Sequence, residues 1–345
     1  MRVCCWLASL ALFAGVASAS DLGETVRAGG LPIGGRPASG RAGALESPES
    51  DWLAEPFDAV LLQGQCPDAS VEIEVSRQGA SGAWGPWSRA YVRRRPGGRC
   101  WARARFPQAS AGRLRLRATG QGTELFSVEV YRAEPPAGPE GPGRKEEPID
   151  AGAPAIVSRE AWGARPSREP LSPHVPRRFT QHHSAGRMPL GLGEAMEEMR
   201  FLQELHQDGR GWSDIGYHFV IDGAGRIFEG RPATRSGAHV RGANAGNLGV
   251  CLMGNYHPPY DHALTPAQRD ALRRLGRWLR DAYGLTPDSY LGHRDYSRTD
   301  CPGDGVYPLL PSIREAIRAV PGPFARVFQG LGLERIMQAL TAVVR

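Results

Sequence analysis

The sequence predicts two domains of different class: a small antiparallel β-sandwich, then an α/β domain with a mixed central β-sheet flanked by helices. Three observations lead there. Residues 51–132 carry short alternating runs, VEIEVS, RAYVRR, CWARARF, GRLRLRA and LFSVEVY, separated by Gly and Pro turns; that is the pattern of strands with one buried face. Residues 133–155, AEPPAGPEGPGRKEEPIDAGAPA, form a Pro/Gly linker. From Ile156 the pattern becomes mixed, with helical stripes between strand-like runs.

Length and composition agree with this division. A chain of 345 residues holds two domains of ordinary size, and 41% apolar with 23% charged residues describes a soluble globular protein. The net charge of +6 would favour acidic surfaces. The positive charge is almost entirely arginine, with Lys145 the single lysine. No block of five or more like charges occurs, so the charges read as solvated faces and no nucleic-acid partner is expected.

The N-terminus, MRVCCWLASLALFAGVASAS, has a basic Arg2, an apolar run from Val3 to Val16 and an Ala17-Ser18-Ala19 cleavage site. It predicts a signal peptide over 1–19 and export to the periplasm or beyond the cell. The run is shorter than the roughly 20 residues that span a bilayer, so no transmembrane segment is expected. Residues 20–50 are rich in Gly, Ala, Pro and Ser without periodicity and read as a flexible leader. In an oxidising compartment Cys66 and Cys100, both in the first domain, are expected to pair as a disulfide. Cys251, inside the apolar LGVCLMG, reads as a buried inert thiol. Cys301, in the polar TDCPG, needs another explanation. The alternation in Arg113-Leu114-Arg115-Leu116-Arg117 gives the sandwich one leucine face and one solvated arginine face.

In the second domain, over 156–320, Glu194 to His206 carries Met196, Met199, Leu202 and Leu205 as a helical stripe. YHFVIDGAGRIFEGR reads as two strands around the turn Asp222-Gly223-Ala224-Gly225. Leu248 to Met253 is a continuous apolar strand, central and buried. Thr265, Pro266 and Gln268 form a capping box with Pro at the first helical position, and Gly284 ends that helix. Ser312 to Val320 is a further helix, and 321–345 an amphipathic segment expected to pack on the domain.

All nine histidines fall in this second half. FTQHHSAG sets His182 beside His183, and neighbours on a strand face opposite ways. Neither face has a clean enough pattern to say which one works. His293 lies in LGHRDYSRTDCPG, with seven residues between it and Cys301. Two imidazoles and one thiolate suit zinc, a borderline-soft ion, and leave a fourth position open.

Six stretches occur in order: WGARP, HHSAG, GWSDIGYHFVIDGAGRIFEGRP, GAH, NLGVCLMGNY and LGHRDYSRTDCPG. Together they resemble the catalytic domain of peptidoglycan recognition proteins and type 2 N-acetylmuramoyl-L-alanine amidases, over about residues 156–320. The resemblance does not reach residues 20–150. It implies a Zn2+ held by His182, His293 and Cys301, with Tyr217 and Thr299 assisting catalysis. With His182 chosen by the resemblance, His183 and His218 read as structural, and Gly211, Trp212 and His239 as lining a substrate groove, with a plain core residue the alternative for Trp212. Gly211-Trp212 goes with peptidoglycan of the meso-diaminopimelate type. His206, His257 and His262 read as surface residues.

The chemistry implied is hydrolysis of the amide between N-acetylmuramic acid and L-alanine, with zinc activating water and polarising the carbonyl. A donor such as the Tyr217 hydroxyl would steady the oxyanion. Two other classes compete: a wall-binding receptor or scaffold without turnover, and a zinc peptidase cutting inside the stem peptide. Family members that only bind the wall commonly lack the cysteine, so the intact ligand set favours the amidase. The motif order disfavours the peptidase. The role of the sandwich stays open between anchoring the enzyme on its substrate and spacing.

Overall fold

A computed structural model of the chain describes residues 26–27, 36–37, 45–120, 122–132 and 152–319. The expected signal peptide, most of the expected leader, residues 133–151 of the linker and the segment 321–345 lie outside the described residues.

Among the described residues the first half is built from nine strands, all paired antiparallel. In chain order they are β1 (Val26–Arg27), β2 (Arg36–Pro37), β3 (Leu45–Glu46), β4 (Leu53–Gln65), β5 (Ile73–Gln78), β6 (Ser88–Arg89), β7 (Tyr91–Arg94), β8 (Arg99–Ala118) and β9 (Glu124–Tyr131). β8 is one strand of 20 residues where the alternation suggests two. Its first part pairs with β4 and β7, and its last part with β5 and β3, so it runs through both sheets of the sandwich. PQASAG, between the two apolar runs, lets the strand pass from one sheet to the other without turning back.

β4 carries no alternation because both of its faces are covered. Val60 and Leu62 enter the sandwich core with Val75, Leu114, Leu116 and Val128, while Ala59 and Leu61 join a different cluster on the outer face. Cys66 and Cys100 form a disulfide with Cα atoms 5.9 Å apart. Leu114 and Leu116 are buried as the alternation requires, but the arginine face is not bare. The Arg115 guanidinium lies 4.4 Å from the Trp84 ring centre and 4.7 Å from that of Trp87, and Arg117 pairs with Glu74.

The second half is an α/β unit. Its elements are β10 (Ile156–Val157), α1 (Arg159–Trp162), β11 (Arg178–His183), α2 (Leu192–Glu204), β12 (Phe219–Ile221), β13 (Ile227–Glu229), β14 (Asn247–Leu252), α3 (Pro266–Tyr283), β15 (Tyr290–Gly292) and α4 (Leu310–Arg318). The six strands make a mixed sheet in the order β10-β13-β12-β14-β11-β15, in which only β12 and β13 are antiparallel neighbours. β14, the apolar NLGVCL, sits inside the sheet and is buried along its length. α3 starts at the Thr265 capping box and stops where Gly284 turns left-handed at φ 65°.

The sheet's two faces pack differently. Phe179, Ile221, Leu248 and Val250 meet α3 and α4 through Leu275, Leu279, Ile313 and Ile317. Val220, Phe228 and Cys251 meet α2 through Met199 and Leu202. The same second cluster continues into Ala59, Leu61, Trp101 and Tyr131 of the sandwich, so the two halves share an apolar core. Burial of this kind stabilises by about 25 cal/mol per Å² of apolar surface. At the seam Arg99 donates to both carboxylate oxygens of Glu198 at 3.1 and 2.7 Å, and to Gln63 Oε1 at 2.6 Å. Gln63 Nε2 in turn donates to the Ser184 carbonyl at 2.8 Å, just past the paired histidines.

Candidate functional site

The sheet resolves the question of the paired histidines. His182 aligns with Cys251 and His183 with Leu252 on the neighbouring parallel strand. His183 therefore shares the face of Phe179 and Leu252, where its Nδ1 accepts the Tyr256 amide at 3.3 Å. His182 shares the other face and stands near the carboxyl end of β11. His293 follows directly on β15, also parallel to β11. The carboxyl ends of parallel strands are where open α/β sheets place their ligands.

His182, His293 and Cys301 come together there, with a ligand atom of each within 4.8 Å of the others. All three are buried. Cys301 Sγ lies 3.5 Å from His182 Nδ1. A tetrahedral zinc with Zn–N of about 2.0–2.1 Å and Zn–S of about 2.3 Å sets nitrogen and sulfur about 3.5 Å apart, so the spacing fits. The sulfur also receives the His183 amide N–H at 3.4 Å, a contact that favours a thiolate. Thr299 Oγ1 accepts the Cys301 amide at 3.2 Å and fixes the loop that carries the cysteine. Asp295 does the same for His293, accepting the Gly292 amide at 2.7 Å.

The orientation of His182 has its own source. His239 Nε2–H donates to the Asn247 carbonyl at 3.0 Å, which leaves its Nδ1 to accept from His182 Nε2–H at 3.0 Å. His182 Nδ1 is then the unprotonated nitrogen, and it is the one that faces Cys301. Burial pushes the His239 imidazole down to about 3, so it stays neutral and keeps this tautomer. Gly249 makes room for it: a Cβ there would lie 2.8 Å from the His239 ring. His239 thus borders the cleft, but both of its nitrogens are engaged within the protein.

A cleft opens beside these ligands. Tyr217, Thr299, Trp212 and His239 border it. The Tyr217 ring centre is 5.2 Å from that of His182. Gly211 is not among the bordering residues; at φ 83° it is the left-handed residue that ends the helical segment before Trp212. His206 corrects the expectation of a surface residue. It is buried in the π-helical turn Leu205–Arg210, packs with its ring centre 4.8 Å from that of Trp212 and borders the cleft. Burial pushes it down to about 3. The helical stripe through Leu202 and Leu205 hides this because the turn after α2 widens and swings His206 inward. His218 is fully buried between the Arg235 carbonyl and the Gly249 amide.

Sequence reasoning missed Arg210, Arg241, Asn244 and Glu129, which also border the cleft. Asn244 Oδ1 accepts the amides of His239 and Val240 at 2.8 and 2.9 Å, which closes the loop over His239. Arg210 immediately precedes the Gly-Trp pair and could have been found from it. Glu129 comes from β9 of the sandwich, and nothing in its own neighbourhood points to a site.

Fold and site define an α/β protein with a zinc-type donor set at the carboxyl ends of its parallel strands. The family described as N-acetylmuramoyl-L-alanine amidase matches residues 172–304. Peptidoglycan-recognition protein SC2 of Drosophila simulans is 34% identical over 158 residues, covering 44% of this chain and 82% of that protein. The chain belongs to this family of N-acetylmuramoyl-L-alanine amidases and peptidoglycan recognition proteins. The human N-acetylmuramoyl-L-alanine amidase is 41% identical over 169 residues, 46% of this chain, and the match spans only 28% of the human protein. The crystal structure of Drosophila peptidoglycan recognition protein SD aligns at a TM-score of 0.43 and 32% identity, over 46% of this chain and 93% of that one. Among the described residues no helix is long and apolar enough to cross a membrane.

Proposed function

We propose that this protein is an exported, zinc-dependent N-acetylmuramoyl-L-alanine amidase that cuts the amide between N-acetylmuramic acid and L-alanine in peptidoglycan. The observation that carries the reading is the donor set: His182 Nδ1, His293 and Cys301 Sγ, buried at zinc spacing and open on one side to a cleft. A receptor that only held the wall would have no use for a thiolate presented in this way. When bound, the metal would supply Lewis acidity toward water and the scissile carbonyl.

The chain's own residues divide the remaining work. Tyr217, beside His182 at the cleft, would donate its hydroxyl to the oxygen on which charge develops. Thr299 holds the Cys301 loop through the amide bond and presents its side chain to the same cleft. His239 orients His182 and keeps water off its outer nitrogen. Trp212, packed against His206, offers a flat apolar wall for the stem peptide, of the meso-diaminopimelate type. Export is supported by the basic, apolar and Ala-Ser-Ala segments of residues 1–19.

The test is digestion of purified sacculi by the zinc-loaded protein, with products read by mass spectrometry. Free stem peptides that begin with L-alanine, and intact glycan strands, are the expected products. A metal-replete protein that binds sacculi and releases no stem peptide would replace this reading with the receptor. Cleavage between stem residues would replace it with the peptidase.

A further inference from the structure

The sandwich belongs to none of the six motifs, yet it reaches the cleft. Glu129, on β9, forms an ion pair with Arg210 in which the Arg210 side chain is 2% and the Glu129 side chain 14% exposed. The Arg210 guanidinium lies 4.5 Å from the ring centre of Tyr131, also on β9, and 5.2 Å from that of Trp212. Glu129, Arg210 and Trp212 all border the cleft that holds the metal ligands. The turn between α2 and Trp212 is held from the same side. Tyr131 donates its hydroxyl to the Gly209 carbonyl at 3.2 Å, and Arg103 donates to the carbonyls of Asp208 and Gly209 at 3.1 and 3.2 Å. That turn is a π-helical one, a rare geometry that occurs mostly as single turns at functional sites.

These contacts form one chain of packing. Glu129 fixes Arg210; Arg210 lies against Tyr131 and Trp212; Trp212 packs at a tilt against His206, whose ring is 5.4 Å from that of Tyr217. Resting on the amidase reading, we infer that the sandwich is a working wall of the substrate cleft, and that Glu129 is a positioning residue which, through Arg210, sets the Trp212 face against which the stem peptide lies. Glu129 is also the one carboxylate among the described residues bordering the cleft, where Arg210 and Arg241 put positive charge. It turns the Arg210 guanidinium toward the sandwich, so that Arg210 serves as a prop for Trp212 and not as an anchor for a substrate carboxylate.

Steady-state kinetics of the full-length zinc-loaded protein on a soluble muramoyl tripeptide test this. Glu129→Gln keeps the shape and removes the charge. It should raise KM about tenfold, the weight of one charge-assisted hydrogen bond, and change kcat less than about threefold. Zinc content should stay at the wild-type value, since Glu129 touches none of the ligands, while the melting temperature should fall modestly, because the amide still accepts from Arg210 but no longer balances its buried charge. Glu129→Asp should recover part of the loss, and Tyr131→Phe, which loses only the bond to Gly209, should move KM in the same direction. An unchanged KM in Glu129→Gln, or a lower one from a released Arg210, overturns the inference while leaving the amidase reading intact. A wild-type protein that binds the tripeptide without cleaving it overturns the amidase reading instead, and the same tenfold shift is then sought in the calorimetric Kd.

Discussion

His239 holds His182 through a 3.0 Å bond between Nδ1 and Nε2, and its remaining nitrogen is fixed by the Asn247 carbonyl at 3.0 Å. The bond selects the tautomer in which His182 turns an unprotonated Nδ1 toward Cys301. Partners of this kind are worth about 10–100-fold in metal affinity. His239→Ala is therefore expected to weaken zinc binding by about that factor in a chelator competition assay. Gly249→Ala, whose methyl would meet the His239 ring at 2.8 Å, should act in the same direction with both histidines retained. Wild-type zinc affinity in both variants would show that His182 needs no such support.

Tyr217 is tested by removing one oxygen. Tyr217→Phe keeps the ring that packs 5.2 Å from His182 and 5.4 Å from His206. If the hydroxyl steadies the oxyanion, kcat on soluble muropeptide should fall about 10²–10³-fold with KM and zinc content near wild type. A loss confined to KM would make Tyr217 a substrate contact.

How far the sequence could carry this site depends on where each partner sits along the chain. His182, His293 and Cys301 lie in compact motifs whose residue types already fit zinc, and the structure brings them together. Choosing His182 over His183 from alternation fails because both residues are buried, one on each face of a covered sheet. β4 escapes the pattern search for the same reason, since Ala59 and Leu61 are as buried as Val60 and Leu62. His206 looks like the polar end of a helix because periodicity of 3.6 does not anticipate a π turn. Glu129 is 53 residues before His182 in an unrelated fold, and its place at the cleft follows only from docking one domain on the other.

Arg99 and Glu198 make that docking testable. Both are buried, and the guanidinium also lies 3.7 Å from the Phe201 ring centre. Glu198→Ala leaves a buried cation without its carboxylate and should cost about 3–5 kcal/mol in urea unfolding. Arg99→Met with Glu198→Leu fills the same space without charge and should cost much less. Because Leu61 and Trp101 share a cluster with Met199 and Leu202, the two halves are expected to unfold in a single transition followed equally by near- and far-UV signals. Two separate transitions, with the Glu198 variant shifting only one, would mean that the seam contributes little.

Acid should weaken the fold before it reaches the carboxylates. His206 is held down to about 3 chiefly by burial, and His218 is held well below its ordinary value of 6.5 for the same reason, with His239 and His174 adding to it. Both are satisfied as neutral rings: His206 Nδ1 accepts the Gly216 amide at 3.2 Å, and His218 Nδ1 accepts that of Gly249 at 2.8 Å. Their folded pKa values lie below the unfolded one, so the unfolded chain binds more protons once the pH drops under about 6.5. Stability is then fully present above that pH and falls below it, by about 1.4 kcal/mol per pH unit for each histidine. Urea unfolding between pH 7 and 5, with chelator present throughout, should show this slope. His206→Asn, which can still accept from Gly216 but does not titrate, should remove about one histidine's share of it. A wild-type profile flat from pH 7 to 5 would mean that these imidazoles find protons or water in the folded state.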